Sequence, residues 1–189
     1  METKNIMIVG VGGQGTLLTS RILGGIAMQA GYDVKLSEVH GMAQRGGSVV
    51  TFVRYGKTVA EPIVEEGCAD VIIAFERLEA KRYAHFLKKD GVMIINDQRI
   101  DPITVVTGAA TYPEGIIEEL QQDNKVFTVN AMEEAKKLGN SKVFNIIVLG
   151  IAAKHMDYTK EQWLTVIKNT VPPKTVEINK KAFEVGYEM

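Results

Sequence analysis

Ile6-Met7-Ile8-Val9-Gly10-Val11-Gly12-Gly13-Gln14-Gly15 is the stretch that decides the fold. Its four leading residues are apolar without alternation, which describes a strand buried on both faces, as in a parallel sheet covered by helices. Gly10, Gly12 and Gly15 satisfy G-x-G-x-x-G between that strand and a helix predicted over residues 16–30, closed by Gly31. Glycines in such a loop allow a tight turn, close approach of the backbone to a ligand, and close packing of helix on strand. The helix N-terminus adds free N–H groups for an anion. Gly10, Gly12, Gly13, Gln14 and Gly15 are therefore candidate cofactor-binding residues. The motif alone leaves dinucleotide binding, another kind of anion binding and purely structural packing open.

Working outward, residues 32–39 read as a second strand with a polar end, and residues 48–55 as a third with Val49, Thr51 and Val53 on one face. Gly56-Lys57 looks like a turn into residues 58–60, predicting an antiparallel hairpin. Beyond Pro62 come a strand over residues 70–75, a helix over 78–89 with Gly91 past its end, and a strand over 92–96. That rhythm with short connections implies right-handed crossovers and a doubly wound sheet. Residues 103–106 and 126–129 read as two further strands, around a segment holding Pro113 and a helix over 116–122. Helices follow over 131–138, 144–155, 160–169 and 175–185, with Gly139-Asn140 and Pro172-Pro173 as interruptions. The expectation is an α/β fold: one doubly wound, mostly parallel sheet over residues 1–189, with an antiparallel hairpin and a helical C-terminal end.

Composition narrows the function. With 189 residues, 46% hydrophobic, 24% charged and a net charge of −1, the chain has enough apolar side chain to offset the entropy of ordering it. A general binder of nucleic acid carries a clear basic excess, so none is expected here. The one cysteine, Cys68, rules out an intrachain disulfide, a thiolate iron–sulfur cluster or a cysteine-rich zinc site built from this chain alone. It reads as a small buried hydrophobe. His85 and His155 lie in helical patterns with no second ligand at i+3 or i+4, so no metal site is expected. Trp163, on an amphipathic helix, reads as a packing anchor. Serine nucleophile elbow, P-loop lysine and H-E-x-x-H are all absent. Met1-Glu2-Thr3-Lys4-Asn5 has neither a basic n-region nor a cleavage site. The longest apolar run, residues 143–153, is broken by Asn145 and Gly150 and falls short of the ~20 residues of a membrane span. A cytoplasmic protein with no membrane segment is expected.

The second informative stretch is Ser37-Glu38-Val39-His40-Gly41-Met42-Ala43-Gln44-Arg45-Gly46-Gly47-Ser48. It gathers a carboxylate, an imidazole, an amide, a guanidinium and three glycines at the carboxyl end of a strand, where open α/β sheets place ligands. Glu38 lies about where a dinucleotide fold wants a ribose-binding acid, although Val39-His40-Gly41 extends the strand instead of closing it. Arg45 is suited to hold a carboxylate or phosphate through a bidentate fork. Gln44, Arg45, Gly46 and Gly47 join the candidate binding residues, and Glu38, His40 and Arg45 are the candidates for catalysis, with His40 and Glu38 able to move a proton. The alternative is a loop whose polar groups satisfy one another while its glycines serve the turn.

The two stretches together, Gly10-Val11-Gly12-Gly13-Gln14-Gly15 and Glu38 through Ser48, resemble the gamma-type domain of 2-oxoacid:ferredoxin oxidoreductases, over nearly the whole chain. The His-Gly-Met-x-Gln-Arg-Gly-Gly version is most similar to the beta subunits of the indolepyruvate branch. The resemblance implies a heteromeric enzyme that decarboxylates an aryl 2-oxoacid on thiamine diphosphate, passes electrons through iron–sulfur clusters to ferredoxin, and delivers the acyl group to coenzyme A. The family's Gly-Asp-Gly run for magnesium and thiamine diphosphate is missing, since Asp90-Gly91 lacks the preceding glycine. Thiamine diphosphate, magnesium and iron–sulfur clusters are thus expected on a larger alpha subunit. This chain would complete the assembly, be inactive alone and self-associate in isolation. The alternatives are a gamma subunit for pyruvate, 2-oxoisovalerate or 2-oxoglutarate, a free-standing dinucleotide-binding oxidoreductase, and a non-catalytic scaffold module.

Overall fold

Strand β1 (Lys4–Val11) is buried on both faces in the computed structural model, which describes residues 2–41 and 47–189. Ile6 and Ile8 face one core, Met7 and Val9 the other, as the unbroken apolar run requires. On one side of β1 lies β3 (Ser48–Gly56), antiparallel and in register from Lys4 opposite Tyr55 to Val11 opposite Ser48. On the other lies β4 (Ala69–Ala74), parallel. With β2 (Asp33–His40), β5 (Leu87–Asn96) and β6 (Lys125–Val129) the sheet order is β2-β3-β1-β4-β5-β6. β4, β5 and β6 continue parallel, and β3 is antiparallel to both its neighbours, so β2 again runs parallel to β1. The carboxyl ends of β1, β2, β4, β5 and β6 therefore share one rim with the start of β3.

Three local expectations need correction. The antiparallel pairing does not come from a hairpin at residues 56–60. β3 instead lies between β2 and β1 and pairs antiparallel with both. Residues 58–60 form no strand, and the Val59 N–H donates to Asp33 Oδ2 at 2.9 Å. Residues 103–106 are not a strand but the single helical turn α3 (Ile103–Val106), following α1 (Thr16–Gln29) and α2 (Arg77–Tyr83) in chain order. Their β-branched side chains favour a strand, but the open edge of β5 is taken by β6, and Pro102 sits where a helix begins. The helix predicted over 78–89 ends as α2 at Tyr83, because Leu87 is already paired with Ala69 in the sheet. Gly91 is a bulge residue there and not a helix stop: a Cβ on it would lie 2.8 Å from the Ala69 carbonyl oxygen.

Helices cover both faces. α1 packs on the Ile6/Ile8 face with α5 (Ala131–Lys137), α6 (Phe144–Ala153), α7 (Lys160–Thr170) and α8 (Val176–Glu188). α2 and α4 (Ile116–Asp123) cover the Met7/Val9 face. All of α6 is buried, which is why it reads as apolar on every side. α8 lies over it, and a Cβ on Gly150 would fall 2.8 Å from the Tyr187 backbone nitrogen. Gly24 brings α1 onto β2, where a Cβ would meet Leu36 at 3.1 Å, whereas the adjacent Gly25 faces Val166 of α7. Trp163 is fully buried between Tyr158 and Phe183, the anchor expected of it. Among the described residues no helix is long and apolar enough to cross a membrane.

Candidate functional site

Gly10, near the end of β1 where the glycine loop begins, has little room for a side chain: a Cβ would lie 2.8 Å from Gln14 Oε1 and 3.2 Å from Phe75 Cβ, so Gln14 would have to move. Gln14 folds back under the loop. Its Oε1 accepts from the Val11 N–H at 2.7 Å, and its amide donates to the Phe75 carbonyl at 3.0 Å and to Gln98 Oε1 at 3.3 Å. The amide is thus committed to tying the loop to the ends of β4 and β5. Gly13 and Gly15 take φ of 97° and 88°, a left-handed conformation that disfavours side chains. A Cβ on Gly15 would also run into the Asn145 side chain of α6, whose amide donates to the Gly15 carbonyl at 3.4 Å. Gly12 links the two sequence motifs, its N–H donating to the Gly47 carbonyl at 2.9 Å.

At the N-terminus of α1 the peptide dipoles present positive charge, and no side-chain cap is made there by Gly15. Glu38, near the end of β2, meets that end. Its Oε2 accepts from the Thr16 hydroxyl at 3.1 Å and, across the strand pair, from the Thr51 hydroxyl at 3.0 Å. His40 Nδ1 lies 3.8 Å from the other Glu38 oxygen. Around this pair an open cavity of about 420 Å³ is bounded by Gly12, Gly13, Gly15, Thr16, Glu38 and His40. In a dinucleotide fold the acid-bearing strand lies beside β1; here β3 intervenes and two threonine hydroxyls engage the acid. A carboxylate at the helix end also disfavours a pyrophosphate in that place, while the His40–Glu38 pair can hold or pass a proton. Gln44, Arg45 and Gly46 lie outside the described residues.

A second cavity, of about 580 Å³, opens along the same rim at the ends of β1 and β4, with Val11 and Gly47 on its border. Its polar groups escaped the sequence reading. Glu76 is 1% exposed, caps α2 by accepting from the Glu79 N–H at 3.0 Å, and also accepts from the Ile100 N–H at 3.1 Å and from the Tyr112 hydroxyl. Glu79 is nearly as buried, accepts from the Ser48 hydroxyl and lies 3.2 Å from Arg82 Nε. Burial pushes the Glu79 carboxyl above its ordinary range, and the Glu76 charge adds to this, against the opposing pull of Ser48 and Arg82. The sequence signal was weak, a Glu-x-x-Glu at a strand-to-helix junction, and its burial depends on the loop over residues 97–112 folding across it. The apolar wall is α3, with Ile103 and Val106 71% and 68% exposed.

His85 and His155 are separate from both cavities, and among the described residues no three His, Cys, Asp or Glu side chains converge on a metal-sized site. Cys68 is partly buried and packs against the Met7/Val9 core.

Comparison with known proteins agrees with this topology. Residues 5–189 match the model of the pyruvate ferredoxin/flavodoxin oxidoreductase family. The chain is 46% identical to the indolepyruvate oxidoreductase subunit IorB of Archaeoglobus fulgidus, over 97% of this chain and 93% of that one. Its counterpart in Thermococcus kodakarensis is 42% identical, over 98% and 95%. Among solved structures, the gamma subunit of the keto/oxoacid ferredoxin oxidoreductase of Geobacter sulfurreducens superposes with a TM-score of 0.73 at 24% identity, over 98% of this chain and 96% of that one, a likeness of fold. A match over almost every residue, which also covers 93–95% of these relatives, places the chain in the pyruvate ferredoxin/flavodoxin oxidoreductase family.

Proposed function

We propose that this chain is the small subunit of an indolepyruvate:ferredoxin oxidoreductase, converting an aryl 2-oxoacid and coenzyme A to acyl-CoA and carbon dioxide as two electrons pass to ferredoxin. The observation that carries this is the 42–46% identity, over nearly the full length of both chains, to proteins named as subunits of indolepyruvate oxidoreductase. The residues present do not fit the expected cofactors. One cysteine cannot hold an iron–sulfur cluster, and the carboxylates of the rim are engaged by Thr16, Thr51, Ser48 and Tyr112 rather than gathered for magnesium. Thiamine diphosphate, magnesium and the clusters are assigned to a larger partner subunit, with ferredoxin and coenzyme A reached through the complex in the cytoplasm.

The part left to this chain is the carboxyl rim of its sheet. Leu17, Val39, Ile103 and Val106 are about half exposed or more around the two cavities, an apolar border suited to a protein partner. Glu38 and His40 stand beside the glycine loop as groups able to move a proton, and Gln44, Arg45, Gly46 and Gly47 are the proposed contacts for a carboxylate or phosphate. The test is reconstitution with the larger subunit, following indolepyruvate-dependent and coenzyme A-dependent ferredoxin reduction. Turnover is expected only with both subunits and with indolepyruvate preferred over pyruvate and 2-oxoglutarate. Full turnover by the larger subunit alone, or preference for another 2-oxoacid, would overturn the assignment.

A further inference from the structure

The opposite rim of the sheet, where β1, β4, β5 and β6 begin, holds a cavity of about 210 Å³ that takes no part in the chemistry above. Ile6, Val71 and Val92 form its apolar floor. Lys4, Lys88 and Lys125 line it with Asp70, Asp90 and the His155 imidazole, while Glu2 acts on Lys88 and Asp157 on Tyr55 from outside the lining. Asp70 is already well supplied, accepting from the Asn5 N–H at 2.8 Å and from the Lys88 ammonium, with Lys4 Nζ at 4.0 Å. The Lys125 ammonium, on β6, meets no carboxylate within ion-pair distance among the described residues and lies 5.8 Å from the centre of the Phe127 ring. Phe127 in turn packs on the His155 imidazole, ring centres 4.9 Å apart. Tyr55, 2% exposed, closes one wall.

We infer that this cavity is a binding site for a small oxyanion, inorganic phosphate or a short-chain carboxylate, held between Lys125, Lys4 and His155 with the Tyr55 hydroxyl as a neutral donor. Lys4 and Lys88 share Asp70, and the charges that act on His155 are those of Lys125 and Lys154, so the Lys125 end of the cavity is the positive one and an anion is favoured there. His155 reports that field. Its imidazole is held below the ordinary range by burial first and then by Lys125 and Lys154. Tyr55 stays protonated because burial raises its phenol, and its hydroxyl, which faces that of Tyr158, keeps a proton to donate. The volume excludes a nucleotide, since sites for such ligands run from roughly 300 Å³ upward. The convergence of lysines also argues against a cation, and no cluster of metal-ligating side chains is found among the described residues.

The full chain, alone and in complex with its partner, is titrated with sodium phosphate at constant ionic strength, chloride making up the balance, and in parallel with succinate. The His155 ring resonances and the unfolding temperature are followed. A saturable shift is expected, with the imidazole titration moving up and the unfolding temperature rising as the anion binds the native state. Lys125→Gln should weaken binding about fivefold or more by removing one charge from the border, whereas Lys168→Gln, on the exposed side of α7, should leave it unchanged. Tighter succinate than phosphate names the carboxylate as the source, and the reverse names phosphate. A response no greater than that to chloride, or one that Lys125→Gln leaves intact, or one that Lys168→Gln weakens equally, overturns the site. None of these outcomes bears on the carboxyl rim, so the site can fail while the subunit assignment stands.

Discussion

Gln14, Gly15 and Glu79 illustrate how much a residue's role depends on partners far along the chain. Gln14 lies in a recognisable motif, yet its amide is engaged by Phe75 and Gln98, which no local pattern indicates. The need for glycine at position 15 was legible from the strand-loop-helix context, but its reason is double: a left-handed φ of 88° and the Asn145 side chain pressed against it. Gly15→Ala should therefore lower stability by about 2 kcal/mol or more, read from urea midpoints. Glu79 carries a pH signature. A carboxyl harder to ionise in the folded state adds stability below its unfolded value, 4.5 for a glutamate, and withdraws it as pH rises through the folded value. Glu79→Gln removes that withdrawal, so the variant should gain on the wild type as pH rises above 4.5 in urea unfolding. A difference that is flat with pH would show Glu79 to be ordinary. Arg45 was legible only as chemistry, a guanidinium amid glycines. In the reconstituted complex Arg45→Ala should lose about 2 kcal/mol or more in turnover efficiency, with Arg45→Lys rescuing incompletely because a point charge cannot reproduce the fork.

At the scale of elements, strands buried on both faces and long helices were legible because their periodicity is set by the same burial that forms them. β1, α1 and α7 follow within a residue or two. The exceptions lie where pairing overrides propensity. Ile103-Thr104-Val105-Val106 is β-branched throughout and still forms a helical turn, while the place beside β5 is filled by β6. β3 was seen as a strand, but its place between β2 and β1 is a matter of topology, which its own residues do not encode. The α6–α8 contact was likewise invisible. It rests on Gly150 and Gly186, each of which would drive a Cβ into the backbone of the other helix. Because backbone cannot yield as a flexible side chain does, Gly186→Ala should cost about 2 kcal/mol or more and loosen α8. Thermal unfolding together with hydrogen exchange along residues 176–188 checks this.

For the whole molecule, the fold class was legible from the rhythm of elements, while the inserted antiparallel β3 gives the carboxyl rim its shape, placing Glu38 and Thr51 side by side and Ser48 over Glu79. That rim carries both cavities and the exposed Leu17, Val39, Ile103 and Val106. In isolation the chain is expected to self-associate through it, seen in sedimentation as a mass rising with concentration. The central claim, that the rim is the face this chain gives to the larger subunit, is tested most directly by hydrogen exchange of the chain with and without that subunit. Protection should concentrate on residues 11–17, 38–49, 76–82 and 100–106, leaving the amino ends of β1, β4 and β6 unchanged. Protection confined to that opposite rim or to α7 and α8, with the carboxyl rim exchanging as in the free chain, would contradict it.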